Sequence, residues 1–271
     1  MNEKIQRRSS PRRFVVPGSA LLAIACIVAA QPLAGQDRPP SGAAGSNIIE
    51  DLVLANRILA NEGIVDGLGH VSVRHDQRPD RFLLSRAMAP AVVTAEDVME
   101  YDLDGNPVDA RGRSMYGERF IHAAIYKARP DVKAVVHCHT PSVLPFANTG
   151  VPMRPMYQMS SFLAAGAPVF EIRNVEGAIG MLVTNTKLGA ALAATLGSST
   201  AVLMRGHGAV IVGRSIPEAV SNSIHLDINA KMQAQAMALG GKVRYLSPEE
   251  AAAANPYDRF WDHWKLRIVS K

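Results

Sequence analysis

Short apolar segments alternate with amphipathic helical patterns along most of the chain, and this alternation restricts the fold more than any other feature. Apolar residues recur at helical spacing near 49–59 and 118–129, whereas 70–74 and 134–139 have the pattern of strands. Further strands are expected at 83–85, 201–204 and 209–212, and further helices at 186–196, at 215–239 and around Glu249 and Trp261. This interleaving predicts an α/β domain with helices on both faces of one sheet.

Length and composition fit one folded domain rather than a fibre, a disordered chain or a disulfide scaffold. The chain has 271 residues, and 48% of them are hydrophobic, which is enough for one sizeable core. Its two cysteines are Cys26 and Cys138. Because Cys26 falls in an apolar leader, the rest of the chain has a single thiol and cannot form an internal disulfide.

The first 46 residues differ in character from the rest. A basic start is followed by eleven apolar residues, 20–30, and then by small residues, as in a secretory signal. We expect a signal peptide over 1–36, a Pro/Gly/Ser linker over 37–46 and the folded domain over 47–271. The pairs Arg7-Arg8 and Arg12-Arg13 loosely resemble a twin-arginine signal.

This leader predicts export to the periplasm. Its apolar run is shorter than the roughly 20 residues of a membrane-spanning helix, and we expect no membrane span in the mature chain. The alternatives are an uncleaved anchor, and a cytoplasmic protein whose start codon lies further downstream.

The charge distribution gives no support to nucleic-acid binding. The net charge is +5, but the first 30 residues hold five basic side chains and one acidic one. The remaining residues carry 24 basic and 23 acidic side chains. A domain so nearly balanced lacks the basic surface that such binding requires.

The segment His137-Cys138-His139 is the sharpest chemical signal. Side chains two residues apart on a strand leave the same face, so both imidazoles point together and Cys138 points the other way. Two imidazoles at this spacing suit a first-row metal ion. The alternative is a strand end with two surface histidines.

His207 and Glu118 complete a candidate metal site. His207 lies between Gly206 and Gly208, which let a loop turn tightly and present a ligand. A helix over 118–129 is about 18 Å long and a strand over 133–139 about 23 Å. Laid antiparallel across the turn at Pro130, they return Glu118 to the two strand histidines, where it becomes a candidate general acid/base. His122, one helical turn on, is expected to support the site or the core rather than bind metal.

These residues resemble the class II aldolase/adducin family. The segments that carry the resemblance are GLGHVSVR at 67–74, ERFIHAAIYKARPDVKAVVHCHTPSV at 118–143 and LMRGHGAVIVG at 203–213. It implies a three-layer α/β/α sandwich of the fuculose-phosphate aldolase type and a homotetramer with sites near subunit contacts. It also implies a divalent ion (Mn, Zn, Fe or Co) bound by His137, His139 and His207, with Glu118 as the acid/base.

Departures from the sugar-phosphate aldolases of this family point to a carboxylate substrate. Where those enzymes have Gly-Asn-x-Ser and a Ser-Gly phosphate loop, this chain has Gly69-His70-Val71-Ser72 and Ser85-Arg86-Ala87-Met88. An arginine suits a carboxylate as well as a phosphate. We expect His70, Ser85 and Arg86 to hold the substrate carboxylate, and Tyr157 to reach a neighbouring subunit's site.

The resemblance is nearer to the branch that decarboxylates hydroxylated aromatic or pyridine dicarboxylates. We therefore expect a metal-dependent carbon–carbon lyase acting as a decarboxylase on a small carboxylate. Two alternatives stay open. One is aldol cleavage of a sugar or sugar phosphate. The other is a non-catalytic interaction module like the adducin head.

Overall fold

The computed structural model describes residues 48–177, 180–254 and 259–269. The predicted signal peptide and linker lie outside the described residues. Among the described residues, no helix combines the length and apolar character needed to cross a membrane.

Among the described residues, a mixed sheet of seven strands forms the centre of the domain, in the order β3-β2-β1-β4-β7-β6-β5. Neighbouring strands are antiparallel except for β5 and β6. The strands are β1 (His70–Arg74), β2 (Arg81–Ser85), β3 (Val98–Asp102), β4 (Ala134–Cys138), β5 (Val169–Phe170), β6 (Ala201–Met204) and β7 (Gly208–Gly213).

Helices cover both faces of this sheet. They are α1 (Ile48–Asn61), α2 (Arg119–Ala128), α3 (Leu144–Thr149), α4 (Arg173–Glu176), α5 (Thr186–Leu196), α6 (Ile216–Ala238), α7 (Pro248–Ala253) and α8 (Arg259–Val269). Three of them have the local signals that start a helix. Asn185, Ser215 and Ser247 each cap the helix that follows by accepting a backbone N–H bond.

Two apolar cores confirm the predicted three-layer α/β/α arrangement. Residues of α1, α6 and α8 pack on one face of the sheet, and residues of α2 and α5 pack on the other. On β4 the division follows the pleat, with Val136 and Cys138 in the first core and Val135 in the second. His137 lies two residues after Val135 on the same strand, so its side chain points to the same face, toward α2.

The strand register brings separate parts of the sequence to the same end of the sheet. His70 of β1 lies opposite His137 of β4, and Ala209 of β7 lies opposite Cys138. Paired residues on neighbouring strands leave the same face. His70 thus joins His137 beside the first turn of α2.

The sequence-based element boundaries needed small corrections. Strand β4 ends at Cys138, one residue before the predicted end, so His139 lies just beyond the strand. Strand β2 begins at Arg81 instead of Leu83. The helix α3 and the two-residue edge strand β5 were not predicted, because neither is long enough to show a hydrophobic period.

Candidate metal centre

His137 presents its Nε2 atom to the end of the sheet. The residue is fully buried near the end of β4. Its Nδ1 lies 3.1 Å from the carbonyl oxygen of Ala209, to which it donates. A neutral imidazole carries one hydrogen. With Nδ1–H used by the backbone, Nε2 keeps its lone pair for a metal ion.

His207 reaches the same point from the turn between β6 and β7. Gly206 has a φ of +68°, the left-handed conformation that glycine adopts without strain. A Cβ at Gly208 would lie 2.1 Å from the carbonyl oxygen of Cys138, so only glycine lets β7 approach β4 here. His207 Nδ1 donates to the carbonyl oxygen of Met181 at 2.9 Å, which again leaves Nε2 as the free ligand atom.

The three histidines and the glutamate converge. His139 Nε2 lies 3.1 Å from Nε2 of His137 and 3.0 Å from Nε2 of His207. Glu118 Oε2 lies 3.3 Å from Nε2 of His137 and 3.5 Å from Nε2 of His207.

This donor set fits a divalent metal ion. Two of the imidazoles point unprotonated nitrogens at the third, an arrangement that a cation stabilises. Nitrogen ligands bound at about 2.1 Å lie roughly 3.0–3.4 Å apart around one ion, which matches the distances observed. Three imidazoles and a carboxylate suit Mn, Zn, Fe or Co.

Glu118 occupies the N-cap position of α2, without a capping bond from its side chain, and is 7% exposed. Its Oε1 accepts a hydrogen bond from the backbone N–H of Val183 at 3.0 Å. Burial by itself raises the pKa of the Glu118 carboxyl, but His137 and His207 outweigh it and hold this pKa well below its ordinary value. Glu118 is therefore an anion, as a metal-binding carboxylate is.

His139 is held neutral, as a metal ligand must be. Burial, with the positive charge that protonated His137 and His207 would carry, lowers the pKa of His139 to about 4. No protonation of His139 competes with metal binding at neutral pH.

One of the predicted substrate-binding residues, His70, lies next to this group, and a second, Ser85, is linked to His70 through Tyr116. The His70 ring centroid is 5.0 Å from that of His137 and 4.6 Å from that of Tyr116. The Tyr116 hydroxyl lies 3.4 Å from Ser85 Oγ and donates to the carbonyl oxygen of Met88. Tyr116 was not among the predicted site residues. It lies beside His70 and Ser85. Its position directly before Gly117-Glu118 is the sequence signal that could have identified it.

The structure does not bring Arg86 and Tyr157 to the metal group. Arg86 Nε is 2.6 Å from Asp97 Oδ1, and within the described part of the chain no bond joins Arg86 to a metal ligand. The Tyr157 hydroxyl is buried without a hydrogen-bond partner among the described residues, and its ring lies 6.1 Å from that of His225. Their roles in substrate binding stay predictions.

The loop 181–183 is the part of the site that sequence reasoning missed. The carbonyl of Met181 fixes His207, and the amide of Val183 holds Glu118. Backbone groups carry no side-chain signature, so no motif marks this loop. His122 lies outside the ligand group, as predicted. It is fully buried and hydrogen-bonded to His70 and Ser72.

Comparisons with known proteins agree with the fold. Residues 50–234 match the family "Class II Aldolase and Adducin N-terminal domain". The chain is 40% identical over 195 residues to decarboxylase tropJ of Talaromyces stipitatus, covering 67% of this chain and 73% of that protein. It is 33% identical over 233 residues to the 3,4-dihydroxyphthalate decarboxylase of Arthrobacter keyseri, covering 80% and 89%.

A solved structure shares the architecture. The L-fuculose 1-phosphate aldolase of Glaciozyma antarctica superposes with a TM-score of 0.65 at 24% identity, covering 82% of this chain and 87% of that one. At this identity the likeness concerns the fold. The family match spans more than half of the chain, and the chain belongs to the class II aldolase and adducin N-terminal domain family.

Proposed function

We propose that this protein is a metal-dependent decarboxylase of a hydroxylated aromatic or heteroaromatic carboxylate. The observation that carries the proposal is the convergence of three histidines and Glu118 on one point. Two relatives with at least 33% identity are named decarboxylases, one of them of a dihydroxyphthalate. A non-catalytic module would have no need of ligand atoms so arranged.

The metal would be held by His137, His139 and His207, with Glu118 beside it. When bound, a divalent ion neutralises negative charge on substrate oxygens and so stabilises the transition state for carbon–carbon cleavage. Everything else in the reaction falls to the chain's own residues.

In this proposal Glu118 acts first as a base and then as an acid. As an anion, its carboxylate can take the proton of the substrate's ring hydroxyl. The bond between ring and carboxylate then breaks, carbon dioxide leaves, and the electron pair stays on the ring. Glu118 returns the proton to the ring carbon, and the product leaves as a phenolate. Proton transfer of this kind contributes roughly 10²–10⁴ in rate.

A substrate panel tests the proposal. The full chain, loaded with Mn²⁺, is assayed for carbon dioxide release from ortho-hydroxylated benzene and pyridine dicarboxylates. We expect release that Glu118→Gln and His139→Ala abolish, and that the matched surface variants Glu50→Gln and His263→Ala leave unchanged. A metal-loaded protein that releases no carbon dioxide but cleaves aldols would refute the decarboxylase in favour of an aldolase.

We further propose export to the periplasm and assembly as a homotetramer. The amino-terminal sequence supports the first, and the family resemblance supports the second. Fractionation of cells expressing the full chain tests the location, with residues 37–271 as the comparison. Light scattering on the purified protein tests the oligomer, and a monomer would contradict it. Metal analysis of protein purified without added metal identifies the ion.

A further inference from the structure

Four buried polar side chains form a continuous hydrogen-bonded row behind the metal group. Tyr126 OH lies 2.8 Å from Ser72 Oγ, Ser72 Oγ lies 2.6 Å from His122 Nδ1, and His122 Nε2 lies 2.6 Å from His70 Nδ1. Each of these residues is at most 3% exposed. The row follows from the geometry of the two elements. His70 and Ser72 are two residues apart on β1 and leave the same face of the strand, and His122 and Tyr126 are four residues apart on α2 and leave the same side of the helix.

Hydrogen counting gives this row a direction. The Tyr126 hydroxyl hydrogen needs an acceptor, and Ser72 Oγ is the one acceptor that the described residues offer it. A buried hydroxyl without an acceptor costs about 1–3 kcal/mol. Tyr126 therefore donates to Ser72, and the single hydrogen of Ser72 is left to donate to His122 Nδ1.

The same direction of hydrogen-bond donation continues through the imidazoles of His122 and His70. Burial disfavours a positive charge on either ring, so each carries one hydrogen. Because His122 Nδ1 accepts from Ser72, its hydrogen is on Nε2 and is donated to His70 Nδ1. His70 must then carry its own hydrogen on Nε2. Within the described part of the chain, no protein atom takes this Nε2–H.

We propose that Tyr126, Ser72 and His122 hold His70 in the Nε2–H tautomer, so that His70 presents a donor to an oxygen of the substrate beside the metal. The inference rests on the proposed function and deepens it. His70 binds substrate, and the other three are positioning residues. The ring that carries the donor adjoins His137 and Tyr116.

A fixed N–H donor selects the chemistry of the substrate at this point. It favours a ligand that offers a hydrogen-bond acceptor, such as a carboxylate oxygen, and disfavours one that offers a hydroxyl or amine hydrogen. In the opposite tautomer His70 would present a lone pair and repel a carboxylate. Hydrogen bonds to charged groups change binding by about 10- to 100-fold.

The tautomer can be measured without any turnover. The full chain, labelled with ¹⁵N-histidine and loaded with Zn²⁺, is examined by long-range ¹H–¹⁵N correlation spectroscopy, with His70 and His122 assigned by substitution. We expect Nε2–H on both rings. A hydrogen on Nδ1 of His70 would overturn the proposal.

Binding of a probe then tests the consequence. Salicylate carries an adjacent hydroxyl and carboxylate, and its dissociation constant for the Zn²⁺-loaded protein is measured by calorimetry. His122→Phe keeps the shape of the ring but donates nothing to His70, and we expect the constant to rise about 10- to 100-fold with unchanged zinc content. His122→Gln places an amide N–H near the position of Nε2, and we expect binding within about threefold of the parent, a residual cost of under 0.7 kcal/mol.

Equal losses of salicylate affinity in both variants would indicate a structural role for His122 and refute the proposed control of the His70 tautomer. Should the Phe variant not fold, the tautomer of the unchanged protein still decides. Nε2–H on His70 without carbon dioxide release from any substrate would support the proposed control of the His70 tautomer while refuting the proposed reaction. Nδ1–H with carbon dioxide release would do the opposite.

Discussion

Replacing Gly208 with alanine should damage the metal site without altering any ligand. The added Cβ would lie 2.1 Å from the carbonyl oxygen of Cys138, and real Cβ contacts essentially never fall below 3.0 Å. The contacted atom belongs to the backbone between His137 and His139, so no flexible side chain can yield. Strands β4 and β7 must separate by about 0.9 Å or more.

That movement acts on the ligands directly. His139 directly follows β4 and His207 directly precedes β7, and their Nε2 atoms are 3.0 Å apart. A shift along the line between them opens this distance to about 3.9 Å, outside the 3.0–3.4 Å expected of neighbouring ligands. Misplacing a ligand through its surroundings typically costs about 10–100-fold in metal affinity. Overpacking costs about 1–3 kcal/mol of stability, which lowers the melting temperature by roughly 2–12 °C in a domain of this size.

Two other glycines separate the local effect from a general loss of stability. In Gly213→Ala, at the far end of β7, the Cβ would lie 2.5 Å from the backbone nitrogen of Ala219. This variant should be destabilised to a similar extent but keep its zinc affinity. Gly67→Ala meets nothing within 4 Å and should change neither property. Metal competition titrations and thermal unfolding measure both effects. Unchanged zinc affinity in Gly208→Ala would refute the reasoning.

Three further predictions concern the metal, a buried arginine and the thiol. A chelator should lower the melting temperature, because metal at 100 times its dissociation constant stabilises the folded state by about 2.7 kcal/mol; an unchanged transition in calorimetry would argue against a metal site. Arg74, 5% exposed, donates to four carbonyl oxygens, so Arg74→Met should reduce the free energy of unfolding in urea by about 2–4 kcal/mol. The exposed Arg78→Met, which loses a surface ion pair with Glu100, should cost at most about 1 kcal/mol. Burial raises the pKa of the Cys138 thiol, so in the domain over 37–271 a disulfide reagent should react only after denaturation, and fast labelling of native protein would contradict the buried position.

The metal group could be predicted because each part of it follows from a local rule. His137 and His139 share a face by the period of a strand, although His139 lies one residue beyond β4. Glu118 returns to them because a helix of known rise is followed by a strand of known rise, with Pro130 between. The glycines beside His207 indicated a close approach, and the contact of Gly208 with the Cys138 carbonyl is its physical cause.

Other parts of the site depend on contacts between segments that are far apart in sequence. Arg86, which was expected to bind the substrate, forms an ion pair with Asp97. Nothing in the sequence around Arg86 indicates that partner. The carbonyl of Met181 and the amide of Val183 orient His207 and Glu118 through backbone atoms, which every residue has. Position in the fold, rather than residue type, gives these groups their role.

One face of α2 connects the candidate metal group with the proposed substrate donor. Glu118, His122 and Tyr126 are spaced four residues apart, so they project from the same side of α2. The first lies beside the metal ligands, and the other two set the hydrogen-bond direction that ends at His70. A displacement of α2 would therefore change the proposed acid/base and the proposed substrate donor together. Such coupling explains why the sequence ERFIHAAIY is informative as a unit, while no single residue in it specifies the reaction.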